Sequence, residues 1–182
     1  MGTLKLEPAL VRTDLLAGPV AAALQEWPPD APVDAQHVLV APIDAALADT
    51  AEFCAAYEVG LDVSANCVVV AGKRDGQVRY AACVVLATTR ADVNGVVRRQ
   101  LDVRKASFAP MADAVELTGM EYGGITAIGL PPTWPILVDA RVVAAPHVII
   151  GSGVRHSKIA LPGPALGALP GAQVIDGLAR SI

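Results

Sequence analysis

The sequence predicts an α+β fold with a mixed, mainly antiparallel sheet, barrel-like in form, and helices at its periphery. Two β-branched runs, 66–71 and 77–87, flank a polar segment that ends in Asp75-Gly76, a pattern typical of a β-hairpin. Segments with helical spacing do not alternate regularly with the apolar runs, which argues against a doubly wound parallel sheet. Further strands are predicted over 37–41, 136–138, 148–150 and 158–161.

Residues 1–35 are predicted to be an N-terminal helical extension, separate from a domain over residues 36–182. Segments 10–16 and 19–27 have helical spacing, and the second has a proline in its first turn. A proline-rich break follows at 28–32. The leucines and the tryptophan of the extension would be exposed if it stood alone. We therefore expect it to pack on the domain or on another subunit.

Local signals also predict the helices of the domain. Asp49 and Glu52 form a capping-box pattern at the start of one helix, and Gly60 is predicted to end it. A final helix is expected to cover one edge of the sheet. The predicted helices span residues 50–57, 92–101, 109–117 and 171–180.

Composition is typical of a globular protein of one domain. Hydrophobic residues make up 53% of the 182 residues and aromatic residues only 4%, so aliphatic side chains must build the core. No apolar run reaches the roughly 18 residues that cross a bilayer, and no basic segment precedes an apolar one at the N-terminus, which predicts a cytoplasmic protein. The three cysteines lack a CxxC spacing, so the sequence indicates neither a disulfide framework nor a metal site, and it indicates no cofactor.

Charge argues against a protein that coats nucleic acid through bulk electrostatics, because the formal net charge is −4. A local basic patch is still compatible with the sequence. Basic residues cluster at Arg98, Arg99, Arg104 and Lys105. The arginine pair is interpreted first as the solvated end of a helix, where cations interact favourably with the helix dipole.

Two glycine-rich stretches are the most informative part of the chain. The first, 118–131, contains four glycines among small apolar residues, and the second, 151–158, follows an apolar run and ends in basic side chains. Glycine lets another molecule approach the bare backbone. The two stretches are therefore predicted to lie together at one concave pocket for a polar, anionic ligand.

These stretches resemble the YbaK-type aminoacyl-tRNA deacylases, which include the prolyl-tRNA synthetase-associated editing domains. Residues 123–129 read Gly-Gly-Ile-Thr-Ala-Ile-Gly, residues 136–139 read Ile-Leu-Val-Asp, and residues 151–158 read Gly-Ser-Gly-Val-Arg-His-Ser-Lys. Their order and spacing are similar to those of the family, whose central strand falls at 66–70. The resemblance covers roughly residues 38–178 and implies the same α+β fold.

The resemblance implies an enzyme of translation quality control that hydrolyses mischarged aminoacyl-tRNA esters in trans. The implied partner is the aminoacylated 3′ end of tRNA, and the extension leaves a homodimer open. The sequence has no Gly-x-Ser-x-Gly elbow and no evident Ser-His-Asp set, so water or a substrate hydroxyl is the expected nucleophile. The expected oxyanion donors are the backbone amides of Gly123, Gly124 and Gly129. The expected substrate-binding residues are Ile125, Thr126, Gly151, Ser152, Gly153, Arg155, His156 and Lys158.

One position departs from the family pattern. Asn66 stands where these deacylases carry a lysine that holds the substrate's phosphate or carbonyl. An asparagine can donate a hydrogen bond but carries no charge. The alternative function is therefore a catalytically silent module of the same fold that binds an aminoacylated 3′ end or a nucleotide-like ligand. If the chain is a deacylase, Asn66→Lys is expected to raise ester cleavage. For Arg155, ligand contact and a surface ion pair both stay open.

Overall fold

Eleven strands and six helices form the chain, which the computed structural model describes from Met1 to Ile182. The strands are β1 (Glu7–Pro8), β2 (Leu39–Pro42), β3 (Ala65–Arg74), β4 (Gln77–Leu86), β5 (Thr89–Ala91), β6 (Ala106–Phe108), β7 (Ile136–Asp139), β8 (Val148–Gly151), β9 (Ser157–Leu161), β10 (Ala172–Ile175) and β11 (Ala179–Ser181). The helices are α1 (Gly18–Gln25), α2 (Thr50–Tyr57), α3 (Arg98–Gln100), α4 (Met111–Thr118), α5 (Ala140–Ala144) and α6 (Gly163–Gly167). A π-helical turn, Val93–Val97, leads into α3, and 3-10 turns occupy Ala9–Val11, Thr13–Leu15, Ala35–His37 and Ala45–Leu47.

The strands form three sheets rather than a closed barrel. The first sheet has the order β1-β2-β9-β8, with every pair of neighbours antiparallel. The second has the order β10-β7-β4-β3-β6, in which β7 runs parallel to β4 and to β10, and β5 pairs separately with β11. The predicted α+β class with a mixed, mainly antiparallel sheet is confirmed. The barrel-like form is wrong, because a single bridge, between Ser64 and Ile149, is the only pairing between the two larger sheets.

The predicted hairpin is formed by β3 and β4. The two strands pair over all ten residues of each. Asp75 and Gly76 have φ values of 50° and 80°, as a two-residue type I′ turn requires. The hairpin lies in the interior of the second sheet, and β3 forms one wall of the site described below.

The helix predicted over residues 171–180 is wrong. This segment forms β10 and β11, with a turn at Gly177, where φ is 70°. β10 extends the second sheet by pairing in parallel with β7, and β11 pairs with β5. Tertiary pairing has therefore overridden the helical spacing. The segment does cover a sheet edge, but it does so as a strand.

α2 spans Thr50–Tyr57, as predicted, but its two ends differ from the prediction. Glu58 is the C-cap, with a left-handed φ of 56°, so Gly60 does not end the helix. Asp49 is the N-cap, yet its side chain makes no capping hydrogen bond. The side chain of Asp49 therefore leaves the first amides of α2 without the usual capping acceptor.

The N-terminal extension packs on the domain. α1 confirms the second predicted helix, whereas residues 10–16 form 3-10 turns. Val20 and Leu24 of α1 are 0% and 2% exposed and belong to the principal core. The amide of Ala9 donates a hydrogen bond of 2.9 Å to the carbonyl of Val38. The division of the chain at residue 35 stays a prediction.

The principal core joins the two larger sheets. Val40 and Ile159 of the first sheet and Val84 and Val138 of the second are buried in it. A smaller core, which includes Leu137, is assembled from other residues of the second sheet together with residues 97–103 and 178–179. Alternate residues of a strand face opposite sides, so β7 is apolar on both faces. None of the helices has the length and apolar character needed to span a membrane.

Candidate active site

A cavity of about 610 Å³ opens beside β3. Its walls come from the start of α2, the first half of β3, the segment from β6 into α4, the first glycine loop (residues 119–131) and the end of β8. Thirteen of its twenty lining residues are hydrophobic, so the few polar groups decide what it can bind. The predicted site residues that line it are Asn66, Gly123, Ile125, Gly151 and Lys158.

Part of the edge of β3 faces the cavity without a strand partner. The amide of Ala87 donates to the carbonyl of Ser64 at 2.7 Å, and alternate residues from Asn66 onward continue this ladder to β4. The intervening residues of β3 direct their backbone amides and carbonyls to the opposite edge of the strand. On that edge β6 pairs with β3 only from Val70 onward. Cys67 therefore presents a backbone amide and a carbonyl to the cavity.

Lys158 brings a positive charge into the cavity wall. β9 places it opposite Gly151 of β8, and the residue is only 9% exposed. Its Nζ donates to the carbonyl of Ala48 at 2.8 Å and lies 5.1 Å from the centre of the Phe53 ring. Burial is the largest effect on the pKa of Lys158 and lowers it from the ordinary value, because the charged form loses hydration. The fold thus retains a buried cation beside a cavity that a ligand can enter.

Asn66 lies on the same wall as Lys158. Its Oδ1 accepts a hydrogen bond of 2.7 Å from the hydroxyl of Thr50, the first residue of α2. Lys158 and Asn66 therefore contact two nearly adjacent residues, Ala48 and Thr50. The N-terminus of α2 reaches the cavity at this point. Asp49 is the one acidic lining residue, and its carboxylate lies 3.6 Å from the guanidinium of Arg155. An ammonium group, a side-chain amide and a helix N-terminus therefore favour a ligand oxygen that carries negative charge.

The two glycine stretches meet, as predicted, but only part of each lines the cavity. The amide of Gly153 donates to the carbonyl of Gly124, and the amide of Glu121 donates to the carbonyl of Gly153, both at 2.8 Å. The amide of Gly124 donates to the carbonyl of Glu121 at 2.9 Å, so it is not free to stabilise an oxyanion. Gly123 lines the cavity with φ at 84°, and its amide has no acceptor within the protein. Among the three predicted oxyanion donors, Gly123 is the one available in the cavity.

Arg155 fastens the first glycine loop to the segment before α2. Its guanidinium donates to the carbonyls of Tyr122 and Ala45 at 3.3 and 3.1 Å and lies 3.6 Å from the carboxylate of Asp49. Its backbone amide donates to the carboxylate of Glu121 at 2.6 Å. Arg155 does not line the cavity. Its contacts are with the protein, among them the surface ion pair that the sequence left open.

Several predicted site residues instead hold the N-terminal extension. A Cβ added to Gly129 would lie 2.4 Å from the carbonyl oxygen of Pro19, and one added to Gly153 would lie 2.4 Å from the Cβ of Ala17. The carbonyl of Ser152 accepts from the amide of Ala17 at 3.1 Å. These small residues face the extension rather than the cavity, and their small size allows the extension to approach closely.

Two more predicted residues also lie away from the cavity. Thr126 is fully buried, and its hydroxyl has no hydrogen-bond partner. His156 is exposed, and its carbonyl accepts from the amide of Ile43 at 2.9 Å. Neither side chain lines the cavity.

The sequence did not single out several residues that line the cavity. Besides Thr50 and Cys67, these include Phe108 and Tyr122, two aromatic side chains that are each 59% exposed. Only seven residues of the chain are aromatic. Phe108 directly precedes the Ala-Pro start of a predicted helix and Tyr122 lies within the glycine-rich stretch, so aromatic residues outside the predicted strands and helices were a usable signal.

The cavity contains no side chain activated as a nucleophile. Burial raises the pKa of the Cys67 thiol, which therefore stays protonated and unreactive at neutral pH. None of the three histidines lines the cavity to act as a base. The arrangement can bind and polarise a carbonyl or a phosphate, but the attacking group must come from water or from the substrate.

Comparison with sequence families adds an independent observation. The model of the aminoacyl-tRNA editing domain family matches residues 44–168, which include α2, β3, the first glycine loop and Lys158. No curated protein sequence matches the chain.

Solved structures share the fold. A candidate trans-editing enzyme for prolyl-tRNA synthetase is 24% identical and has a TM-score of 0.72, over 88% of this chain and 94% of that one. A protein from work on epitope grafting onto scaffold proteins is 23% identical with a TM-score of 0.71, over 88% and 95% of the two chains. A hypothetical protein is 20% identical with a TM-score of 0.71, over 87% and 99%. At these identities the likeness shows the fold alone.

Proposed function

Because the chain belongs to the aminoacyl-tRNA editing domain family, we propose that it hydrolyses, in trans, the ester between a wrongly attached amino acid and the 3′ end of its tRNA. The observation that carries the proposal is the cavity that combines a buried ammonium group, Lys158, with the free amide of Gly123. Ester cleavage needs such donors at the carbonyl oxygen and does not need a protein nucleophile.

In the proposed reaction, water attacks the carbonyl carbon of the ester. The carbonyl oxygen gains negative charge, which Lys158 and the amide of Gly123 stabilise. The intermediate then collapses as the bond to the ribose oxygen breaks. That oxygen takes up the proton that water has lost, so the products are a free amino acid and a tRNA with its hydroxyl restored. A neighbouring ribose hydroxyl can relay the proton, since no histidine lines the cavity.

The proposed partner is the aminoacylated 3′ end of tRNA. Phe108 and Tyr122 line the cavity with more than half of each side chain exposed, and aromatic faces of this kind stack on nucleobases. The apolar lining favours an uncharged amino-acid side chain. The similarity to a candidate trans-editing enzyme supports action in trans. The proposal places the protein in the cytoplasm, where tRNA is charged, and a homodimer stays a prediction that light scattering can test.

A panel of purified mischarged tRNAs tests the proposal. Wild-type protein is expected to release the amino acid from at least one of them faster than buffer does, and Lys158→Met is expected to abolish the gain. Lys5→Met is the matched control, since Lys5 is exposed and outside the cavity. If the wild type cleaves none of the esters but binds a non-hydrolysable aminoacyl-adenosine analogue, the protein is the silent binding module instead.

A further inference from the structure

The basic residues of the chain are concentrated in one segment. Residues 73–105 contain eight of the fourteen lysines and arginines but only three of the eighteen acidic residues. This segment therefore has five excess positive charges, although the whole chain has a formal charge of −4.

Strand pairing brings the two ends of this segment together. Ala106 of β6 lies opposite Gly72 of β3. The residues just before β6, Arg104 and Lys105, are therefore close to Lys73, which follows Gly72 in the hairpin. All three basic side chains are exposed. The amides of Asp102 and Val103 donate to the carbonyls of Arg99 and Arg98 at 3.1 and 3.2 Å, so these two arginines lie beside the same segment. We call the surface that carries the five basic residues the basic surface.

The cations of the basic surface have no acidic partners. Asp75 and Asp102 are the nearest acidic residues in the sequence. The carboxylate of Asp75 lies 3.5 Å from Arg74, and that of Asp102 pairs with Arg74 at 2.8 Å and with Arg79 at 3.3 Å. The Arg98 guanidinium donates to the carbonyl of Asn94 in its own helical turn, at 2.9 Å. The charges of the basic surface are thus free to meet an external anion.

β6 connects the basic surface to the mouth of the cavity. Lys105 precedes this short strand, and Phe108, at its other end, lines the cavity. The three residue steps between them span about 10 Å in an extended strand. This length matches about three nucleotides of a stacked single strand. A chain of phosphates that leaves the cavity at Phe108 therefore reaches Lys105 within three or four nucleotides.

We infer that the acceptor strand of the tRNA leaves the cavity past Phe108 and follows β6 to the basic surface, where Arg104, Lys105 and Lys73 contact its phosphates. This inference rests on the proposed function and gives it a docking path. The excess positive charge is complementary to a polyanion, and β6 connects the basic surface directly to the mouth of the cavity. An acidic protein would also complement the charge, but nothing would then require the basic surface to lie one strand away from the cavity.

Two substrates of different length test the path. One is a full-length mischarged tRNA and the other is the same amino acid esterified to adenosine, which is too short to reach Lys105. The variants are Lys105→Glu and Arg104→Glu/Lys105→Glu. Lys5→Glu is the matched control, since Lys5 lies in another part of the chain, is exposed and forms no ion pair. Rates are measured from about 50 to 200 mM salt, the range over which phosphate contacts weaken strongly.

The double variant is expected to lower kcat/KM for the tRNA by roughly 10- to 100-fold at low salt and to reduce the slope of log rate against log salt by about one to two. The adenosine ester, which reports on the cavity, is expected to react at the wild-type rate. Equal losses on both substrates, or no loss on the tRNA, would overturn the inference. A loss in Lys5→Glu as large as in Lys105→Glu would also overturn it, because net charge alone would then explain the effect.

Binding of uncharged tRNA separates this inference from the proposed function. If the wild type cleaves neither ester, the proposed function fails, and the path is judged from tRNA affinity alone. A weaker and less salt-dependent affinity in the double variant supports the path, whereas unchanged affinity overturns it. An added acidic protein without nucleic acid, tested in the same way, is expected to show no preference for the wild type.

Discussion

Lys158 carries its charge at a position where the fold disfavours it. The residue is 9% exposed, and Nζ has one protein acceptor, the carbonyl of Ala48. A buried ammonium with incomplete hydrogen bonding costs stability. Such a cost is common at sites that act on a ligand, because the same low dielectric strengthens the interaction of the charge with an oxyanion.

Lys158→Met tests this trade between stability and activity. We expect hydrolysis of the mischarged tRNA to fall by at least ~100-fold, the size seen for the loss of an oxyanion donor. The pKa of Lys158 in the folded protein is lower than its ordinary value of 10.5. Between these two pKa values the unfolded chain binds more protons than the folded protein, so Lys158 makes the free energy of unfolding rise with pH in that window.

Urea unfolding from pH 8 to 10.5 measures the effect of pH. The free energy of unfolding of the wild type should rise with pH relative to that of Lys158→Met. Subtracting the variant removes the contributions of the other titrating groups. Parallel curves over this range would show that Lys158 has an ordinary pKa.

Variants at Asn66 and Lys158 test the effect of the lysine that the family carries at position 66. A lysine at position 66 could no longer accept the hydrogen bond from Thr50, and its ammonium would share one wall with Lys158. Repulsion between the two cations would oppose the gain that the family pattern predicts for Asn66→Lys alone. We therefore expect the clearest gain in a Lys158→Met background, where Asn66→Lys restores part of the lost rate.

The rates of the two single variants and the double variant form a double-mutant cycle. Additive effects would show that the two positions do not share a role. Thermal unfolding of each variant provides the control for misfolding.

Among the structural elements, the loops around the cavity depend on Arg155. The guanidinium joins the loop at Tyr122 to the turn at Ala45, and Gly123 leaves it room, since a Cβ there would lie 2.2 Å from Nη1. We expect Arg155→Ala to raise the hydrogen-exchange rates of residues 119–124 and 43–49 and to lower the deacylation rate. The salt dependence of tRNA binding should stay as in the wild type, because the guanidinium contacts the protein rather than phosphates.

Arg99→Ala is the contrasting variant. Arg99 is exposed on the basic surface and makes no ion pair, so its removal should reduce the salt dependence and leave the loops unchanged. If Arg155→Ala lowered the salt slope and left exchange unchanged, Arg155 would be a phosphate ligand instead.

Sequence patterns predicted the elements whose signals are local. The Asp75-Gly76 turn and α2 form as predicted because positive φ values and helical spacing act within a few residues. The segment 171–180 became two strands because β10 pairs with β7, more than thirty residues earlier in the chain. Local propensity contains no information about such a partner.

The sequence predicted the part of the site that is formed by the two glycine loops. The hydrogen bond from the amide of Gly153 to the carbonyl of Gly124 confirms that the two loops meet. The open edge at Cys67 was not predictable, because it depends on how far β6 extends along β3. Gly129 and Ser152 carried the same sequence signal as the cavity residues, yet they accommodate the N-terminal extension. A glycine that admits a helix and a glycine that admits a ligand look alike in the sequence.

On the scale of the whole molecule, the extension is part of the principal core. Leu15, Leu16, Val20 and Leu24 are each at most 8% exposed and pack with residues of both larger sheets. The carbonyl of Leu15 also accepts a hydrogen bond from the hydroxyl of Ser157, at the start of the strand that carries Lys158. The extension therefore supports the site from the side opposite to the ligand.

Deletion of residues 1–35 is expected to leave the remaining chain unfolded or molten. Burying each large aliphatic side chain contributes about 1.5–3 kcal/mol, so the four named above supply about 6–12 kcal/mol, as much as the whole net stability of a typical domain. Circular dichroism melting and light scattering measure the outcome. A point variant gives a graded version of the same test: Leu24→Ala should lower the free energy of unfolding by about 2–5 kcal/mol, whereas Val11→Ala, at a residue that is 73% exposed, should change it by less than about 0.5 kcal/mol. A truncated chain that melts cooperatively at the wild-type temperature would establish residue 35 as a true domain boundary and the extension as an accessory.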